Sequence, residues 1–141
     1  MANGDVRPLL DIIGVDADGV GTPRNDGGPG SALYRVPIQL NRQPDGFESR
    51  LLVQLWNHPP SFSTMHRPGI MTVSGDRLVL NGTTIDEVAE VHSKTLRLII
   101  DETNRLVPLE RARQVQLADQ AERESAERAG HVREVAGEIK F

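Results

Sequence analysis

The alternation of apolar and polar residues in the first half of the chain predicts a small antiparallel sheet. Residues 34–40 alternate with the period of two that is typical of a half-buried strand, and Pro37 predicts an edge or bulged position for this strand. Residues 49–56 carry apolar side chains on both faces of a further predicted strand. Residues 70–73 and 78–80 flank a glycine-containing turn, which favours a tight hairpin.

Two earlier segments complete this half of the chain. Residues 9–15 are apolar enough for a first strand, although Asp11 and Gly14 interrupt them. Residues 16–30 are rich in glycine, proline and aspartate and predict an irregular loop. We therefore expect an α+β fold with a four-stranded, mainly antiparallel sheet packed by one amphipathic helix, followed by a long C-terminal helix.

The start of the first helix has the clearest local signal in the chain. Thr84 and Glu87 have the spacing of a capping box, in which each side chain satisfies a backbone donor of the other residue. Val107 precedes Pro108, which disfavours helical backbone at Val107 and predicts a break there. A stripe with three-and-four spacing is predicted to cover the sheet, formed by Ile85, Val88, Ala89, His92, Leu96, Ile99, Thr103 and Leu106.

The predicted second helix, residues 108–136, is long for so short a chain. It would extend about 43 Å, whereas a compact chain of this length has a radius of gyration of about 14 Å. We therefore divide the chain into an α+β domain, residues 1–107, and a helical extension, residues 108–141, that serves self-association, with a dimer favoured, or binding of a protein partner. The interface candidates lie on a stripe that Arg128 interrupts, namely Ala118, Ala121, Val132, Val135 and Ile139.

The composition of the chain argues against several classes of function. The net charge of −4 argues against a general nucleic-acid binder, which needs a concentrated basic surface. With no cysteine, the chain has no disulfide framework and no cysteine-based metal site. The absence of a long apolar run and of a leader-like start leads us to expect a cytoplasmic protein with no membrane contact. Arginine far outnumbers lysine, which we interpret as a GC-rich bacterial origin.

One connecting loop is rich in the residue types that commonly bind small ligands. It holds two histidines, an arginine, hydroxyls and aromatics between prolines. Together with a histidine of the first helix these residues define a candidate ligand site, formed by Trp56, His58, His66, Arg67 and His92. Arg67 is suited to a bidentate grip on a carboxylate or phosphate. The histidines lack compact ligand spacing, so we expect no stoichiometric metal and no cofactor.

Two short segments resemble known families. Residues 15–20, with Asp16 and Asp18, resemble the nucleophile motif of haloacid-dehalogenase phosphatases. Those enzymes have a larger, parallel α/β core, whereas the pattern of this chain predicts an antiparallel sheet. Residues 82–88 resemble the sheet-to-helix segment of small HicB-like antitoxin domains, which implies a regulatory, protein-binding role.

These observations predict a small non-catalytic binding or regulatory protein that self-associates. The alternative is a small enzyme or ligand-binding protein that uses the loop at residues 56–67 together with His92. The two functions differ in whether the loop histidines, Arg67 and His92 converge on an open pocket.

Overall fold

The computed structural model describes residues 7–61 and 63–140 and confirms the α+β class. The N-terminal start and Phe62 of the connecting loop lie outside this range. The fold contains a four-stranded antiparallel sheet with strand order β1-β2-β4-β3. Its strands are β1 (Ile12–Val15), β2 (Tyr34–Leu40), β3 (Met71–Ser74) and β4 (Arg77–Thr83).

Strand β2 lies inside the sheet, so the edge position predicted from Pro37 is wrong. The alternative, a bulge, is not found at Pro37, since the register shifts of β2 with its neighbours lie at Tyr34/Arg35 and, on β1, at Ile12/Gly14. The Pro37 carbonyl accepts a hydrogen bond from the Asp16 backbone N–H at 3.0 Å, one residue after β1 ends at Val15. Because the nitrogen and carbonyl of a strand residue point to the same side, the missing N–H of proline faces the end of β1 rather than β4. An inner strand therefore tolerates this proline.

The predicted hairpin is confirmed. Strands β3 and β4 pair in register from Met71–Leu80 to Ser74–Arg77. Gly75, the first residue of the turn, has a φ of 59°, a left-handed conformation that glycine adopts without strain.

The strand predicted at residues 49–56 is wrong, because this segment forms helix α1 (Gly46–Asn57). Asp45 caps it with a reciprocal box: the Asp45 side chain accepts from the Glu48 N–H at 2.8 Å, and the Glu48 carboxylate accepts from the Asp45 N–H at 3.0 Å. Leu52 and Trp56, four residues apart, are both fully buried. Their spacing therefore fits one buried helix face as well as it fits a strand with two partly covered faces.

The second helical segment begins where it was predicted. Thr84 caps the short helix α2 (Ile85–Glu87) by accepting a hydrogen bond from the Glu87 N–H at 3.1 Å. A π-helical turn, Val88–His92, follows, and helix α3 (Ser93–Glu138) continues from it. Among the residues of the predicted stripe, Ile85 and Ala89 are exposed, whereas Val88 and His92 are buried.

Helix α3 continues through Pro108, so the break predicted at Val107 is wrong. Proline removes one backbone donor and crowds the preceding turn, which is a local cost that the rest of a long helix can outweigh. Helix α3 also extends one residue beyond Gly137, the predicted terminator. The chain divides into two compact units, one ending at Arg105 and the other beginning at Leu106.

The core of the first unit joins one face of the sheet to both helical segments. One buried cluster contains residues of the sheet together with residues of the helical segments. Its strand residues include Ile38, Leu40, Leu78 and Leu80. The helical contribution to this cluster consists of Leu52, Trp56, Val88, Leu96, Ile99 and Ile100. Trp56 is the largest of these side chains, and it also contacts residues of the candidate site.

Candidate functional site

The structure brings four of the five predicted ligand-site residues together. The ring centroid of Trp56 lies 4.5 Å from that of His66 and 5.2 Å from that of His92. The two histidine rings are 6.1 Å apart. Arg67 follows His66 directly, and its carbonyl accepts a hydrogen bond from Trp56 Nε1 at 2.9 Å.

His58 does not join this cluster. It is exposed and forms the C-cap of α1, where its backbone N–H donates to the Gln54 carbonyl at 3.0 Å. The three ring contacts of the cluster join Trp56, His66 and His92, and His58 takes part in none of these three. The predicted five-residue site is therefore a four-residue cluster.

The centre of the cluster is Glu87, which was predicted only as a capping-box residue. Arg67 grips its carboxylate in a bidentate manner, with Nε donating to Oε1 and Nη2 donating to Oε2 at 3.0 Å. The Thr83 hydroxyl donates to Oε1 at 2.8 Å, and His92 Nε2 lies 2.9 Å from the same oxygen. The carboxylate therefore accepts hydrogen bonds from the loop, from strand β4 and from the helical segment, instead of contributing to the helix cap alone.

The π-helical turn explains how Glu87 reaches His92. Residues five apart lie on different faces of an α-helix, whereas the i→i+5 geometry of a π-turn brings them closer together. Glu87 immediately precedes the turn and His92 is its last residue. Turns of this kind occur frequently at functional sites, so we treat the cluster as a site to be evaluated chemically.

The hydrogen bonds define the protonation of both histidines. His66 Nε2 lies 2.6 Å from the Trp56 carbonyl, which can only accept, so this nitrogen carries the proton. His92 Nε2 in turn donates to the Glu87 carboxylate. This arrangement leaves His92 Nδ1 as an acceptor, and this buried atom has no hydrogen-bond partner among the described residues.

The electrostatics favour an ionised glutamate beside a neutral histidine. The hydrogen bonds from Arg67 lower the pKa of Glu87 to about 2, against the opposing effect of burial. Burial lowers the pKa of His92 below its ordinary value of 6.5, although the bond to Glu87 acts in the opposite direction. The pKa of Arg67 is raised, chiefly by its hydrogen bond to Glu87. At neutral pH the cluster is therefore an Arg⁺–Glu⁻ pair with a neutral imidazole.

The cluster faces the protein interior. Trp56 and His92 are fully buried and His66 is 7% exposed, while the Arg67 side chain is 39% exposed. The polar groups of these residues bond chiefly to one another, and they fasten the loop before β3 to the start of the helical segment. In the described part of the chain, no three histidine, cysteine, aspartate or glutamate residues are grouped to hold a metal ion.

The second candidate surface belongs to the unit that begins at Leu106. Every residue from Ala112 to Lys140 is exposed. The five predicted interface residues are among them, with Val132 54%, Val135 41% and Ile139 53% exposed. Ala118 and Ala121 lie within α3, and Ile139 immediately follows the end of this helix. Leu117, which was not among the predicted residues, is 50% exposed beside the same stripe.

Comparisons with protein-family models, with curated proteins and with solved structures find no significant match to this chain. A search of the described helices finds none with the length and apolar content needed to cross a lipid bilayer. Function is therefore inferred from the chemistry of the buried cluster around Glu87 and of the exposed C-terminal helix.

Proposed function

We propose that this protein is a non-catalytic binding or regulatory protein that self-associates as a homodimer through its C-terminal helix. The observation that carries the proposal is the uninterrupted exposure of residues 112–140, which includes apolar side chains on a repeating stripe. Exposed apolar side chains that recur along one side of a helix are typical of an interaction site. A bacterial cytoplasmic setting, expected from the composition, belongs to the same proposal.

The energetics of an isolated helix support this proposal. Most helical stability in proteins comes from packing of an apolar face rather than from the helix propensity of the residues. Gly130 lies inside α3 and costs about 1 kcal/mol relative to alanine. Pro108 adds a further cost near the start of the second unit. A helix with these two residues gains most from burying its stripe against a second chain.

The arrangement around Glu87 favours this function over the enzymatic alternative. A general acid or base must reach a substrate proton within hydrogen-bonding distance. The Glu87 carboxylate is instead occupied by Arg67, Thr83 and His92, and the histidine is fully buried. The cluster therefore supports a role in holding the loop to the helix rather than a role in acid–base catalysis.

Size-exclusion chromatography with light scattering tests the proposal. We expect a mass of two chains for the wild-type protein and a shift toward one chain for Val132→Glu combined with Ile139→Glu, because charges buried without partners are costly. The matched control, Ala112→Glu with Ala126→Glu, adds the same charge at exposed positions off the stripe and should remain dimeric.

Two results would contradict the proposal. One is a wild-type mass of one chain at every concentration, and the other is an unchanged assembly of the stripe variant. Far-UV circular dichroism of both variants should show that the sheet domain is intact. A wild-type monomer that binds a different protein through α3 would replace self-association by partner binding.

A further inference from the structure

We infer that two copies of the C-terminal helix pair in antiparallel orientation, centred between Ser125 and Arg128. This inference rests on the proposed self-association and specifies its geometry. The stripe repeats with alternating spacings of three and four residues, which is the heptad pattern of a coiled-coil seam. The seam positions within α3 are Ala118, Ala121, Ser125, Arg128, Val132 and Val135.

Side-chain size favours the antiparallel orientation. The seam is small at its N-terminal end, where Ala118 and Ala121 lie, and larger at its C-terminal end, where Val132 and Val135 lie. Antiparallel pairing about the stated centre places Ala121 opposite Val132 and Ala118 opposite Val135 of the second copy. Each layer then combines one small and one larger side chain, which gives even packing along the seam.

Charge favours the same orientation. A parallel, in-register pair would place Arg128 opposite Arg128 of the second copy, and directly opposed like charges are destabilising. In the antiparallel pair Arg128 lies opposite Ser125, a small neutral residue. Arginine can extend its apolar stem across such a position and keep its charged end at the rim.

The antiparallel arrangement also supplies a partner for this charge. Glu124 directly precedes Ser125, so it lies at the rim beside Arg128 of the second copy. Two symmetry-related Glu124–Arg128 pairs then flank the centre of the seam. Among the described residues Arg128 has no ion-pair partner within the chain, whereas Glu124 accepts only a 3.3 Å hydrogen bond from Gln120. Both groups are available for pairing between chains.

Disulfide formation between single-cysteine variants tests the orientation, and the cysteine-free wild type gives no background. Ala121→Cys and Val132→Cys should form a linked dimer only when the two variants are mixed and oxidised. Each variant alone should link no more than Ala126→Cys, an exposed control off the seam. Efficient linking of either seam variant alone would show a parallel pair and would overturn the inference.

Charge reversal provides an independent test. Arg128→Glu alone and Glu124→Arg alone should each weaken dimerisation by at least about tenfold, because each places like charges opposite each other in a homodimer. Mixing these two variants should restore dimerisation, because both contacts between chains again join opposite charges. Within each helix the same mixture keeps like charges four residues apart, so restoration cannot come from contacts inside one chain.

The failure of this inference differs from the failure of the proposed function. A dimer by light scattering that shows neither mixed disulfide formation nor charge restoration would overturn the antiparallel pair and leave self-association standing. A monomer at every concentration would overturn both. Mixed linking together with charge restoration would support both.

Discussion

His92 Nε2 and Glu87 Oε1 lie 2.9 Å apart, with Glu87 directly before a π-helical turn and His92 at the end of that turn. This contact joins a fully buried imidazole to a carboxylate that a guanidinium already holds. The capping box suggested by the sequence is therefore only half formed, because Thr84 caps the helix while the Glu87 side chain turns to Arg67, Thr83 and His92.

The first prediction concerns the charge of Glu87. Glu87→Gln should lower the free energy of unfolding by about 2 kcal/mol, because hydrogen bonds to charged groups contribute more than neutral ones. The contribution of the ion pair itself is reduced by solvent at the partly exposed Arg67. Equilibrium urea unfolding measures the change, and Asp86→Asn is the matched control at the exposed neighbouring residue. Equal midpoints for the two variants would contradict the role assigned to Glu87.

The second prediction is loss of stability in acid. The pKa of Glu87 is about 2 in the folded chain and 4.5 at its ordinary value, so its stabilisation is complete above 4.5 and declines as pH falls toward 2. The pKa of His92 is lowered from 6.5, so the unfolded chain gains its proton first as pH falls below 6.5, which also favours unfolding. Urea unfolding across this range should show stability falling with pH. The difference between wild type and Glu87→Gln should shrink below 4.5, and a constant difference would refute this interpretation.

The third prediction concerns the helix cap. Thr84→Ala should cost about 1 kcal/mol of unfolding free energy, because the Glu87 N–H would lose its acceptor at the first turn. Thr64→Ala, at an exposed position in the connecting loop, serves as the control. A urea midpoint equal to wild type, at unchanged slope, would show that the cap does not stabilise the helix.

The fourth prediction concerns the proline inside α3. Pro108→Ala should increase the stability of the helix by up to about 3 kcal/mol, because alanine restores a backbone donor and removes a steric clash. Far-UV circular dichroism during urea unfolding measures the effect. Leu109→Ala, at an exposed position next to it, should bring no comparable gain. Reduced helicity of Pro108→Ala would show that the proline is needed where it stands.

The sequence was sufficient for the elements that depend on local patterns. The β2 alternation, the Gly75 turn and the Thr84 cap each depend on residues close together in the chain, and the structure contains all three. Helix α1 was missed although Asp45 and Glu48 had capping-box spacing, because the apolar residues of the segment 49–56 fit both the helical and the strand period.

The candidate site was only partly accessible to sequence reasoning. Trp56, His66, Arg67 and His92 were chosen for their chemistry, and the fold brings them together. Glu87 was missed because its contact with Arg67 joins residues that are distant in sequence, and because a local capping pattern already explained this glutamate. Thr83, which bonds to the same carboxylate, was missed with it. The π-turn that positions His92 has no sequence signal that we recognise.

The same π-turn has a further consequence for the phase of the helix. Relative to an uninterrupted α-helix, one extra residue rotates everything before it by about 100°. Within the turn itself, Val88 is buried and Ala89 is exposed. A one-residue deletion within the turn would restore regular hydrogen bonding and still misalign Glu87 with Arg67. The length of this turn therefore determines the direction, around the helix axis, in which the cap lies relative to the buried stripe.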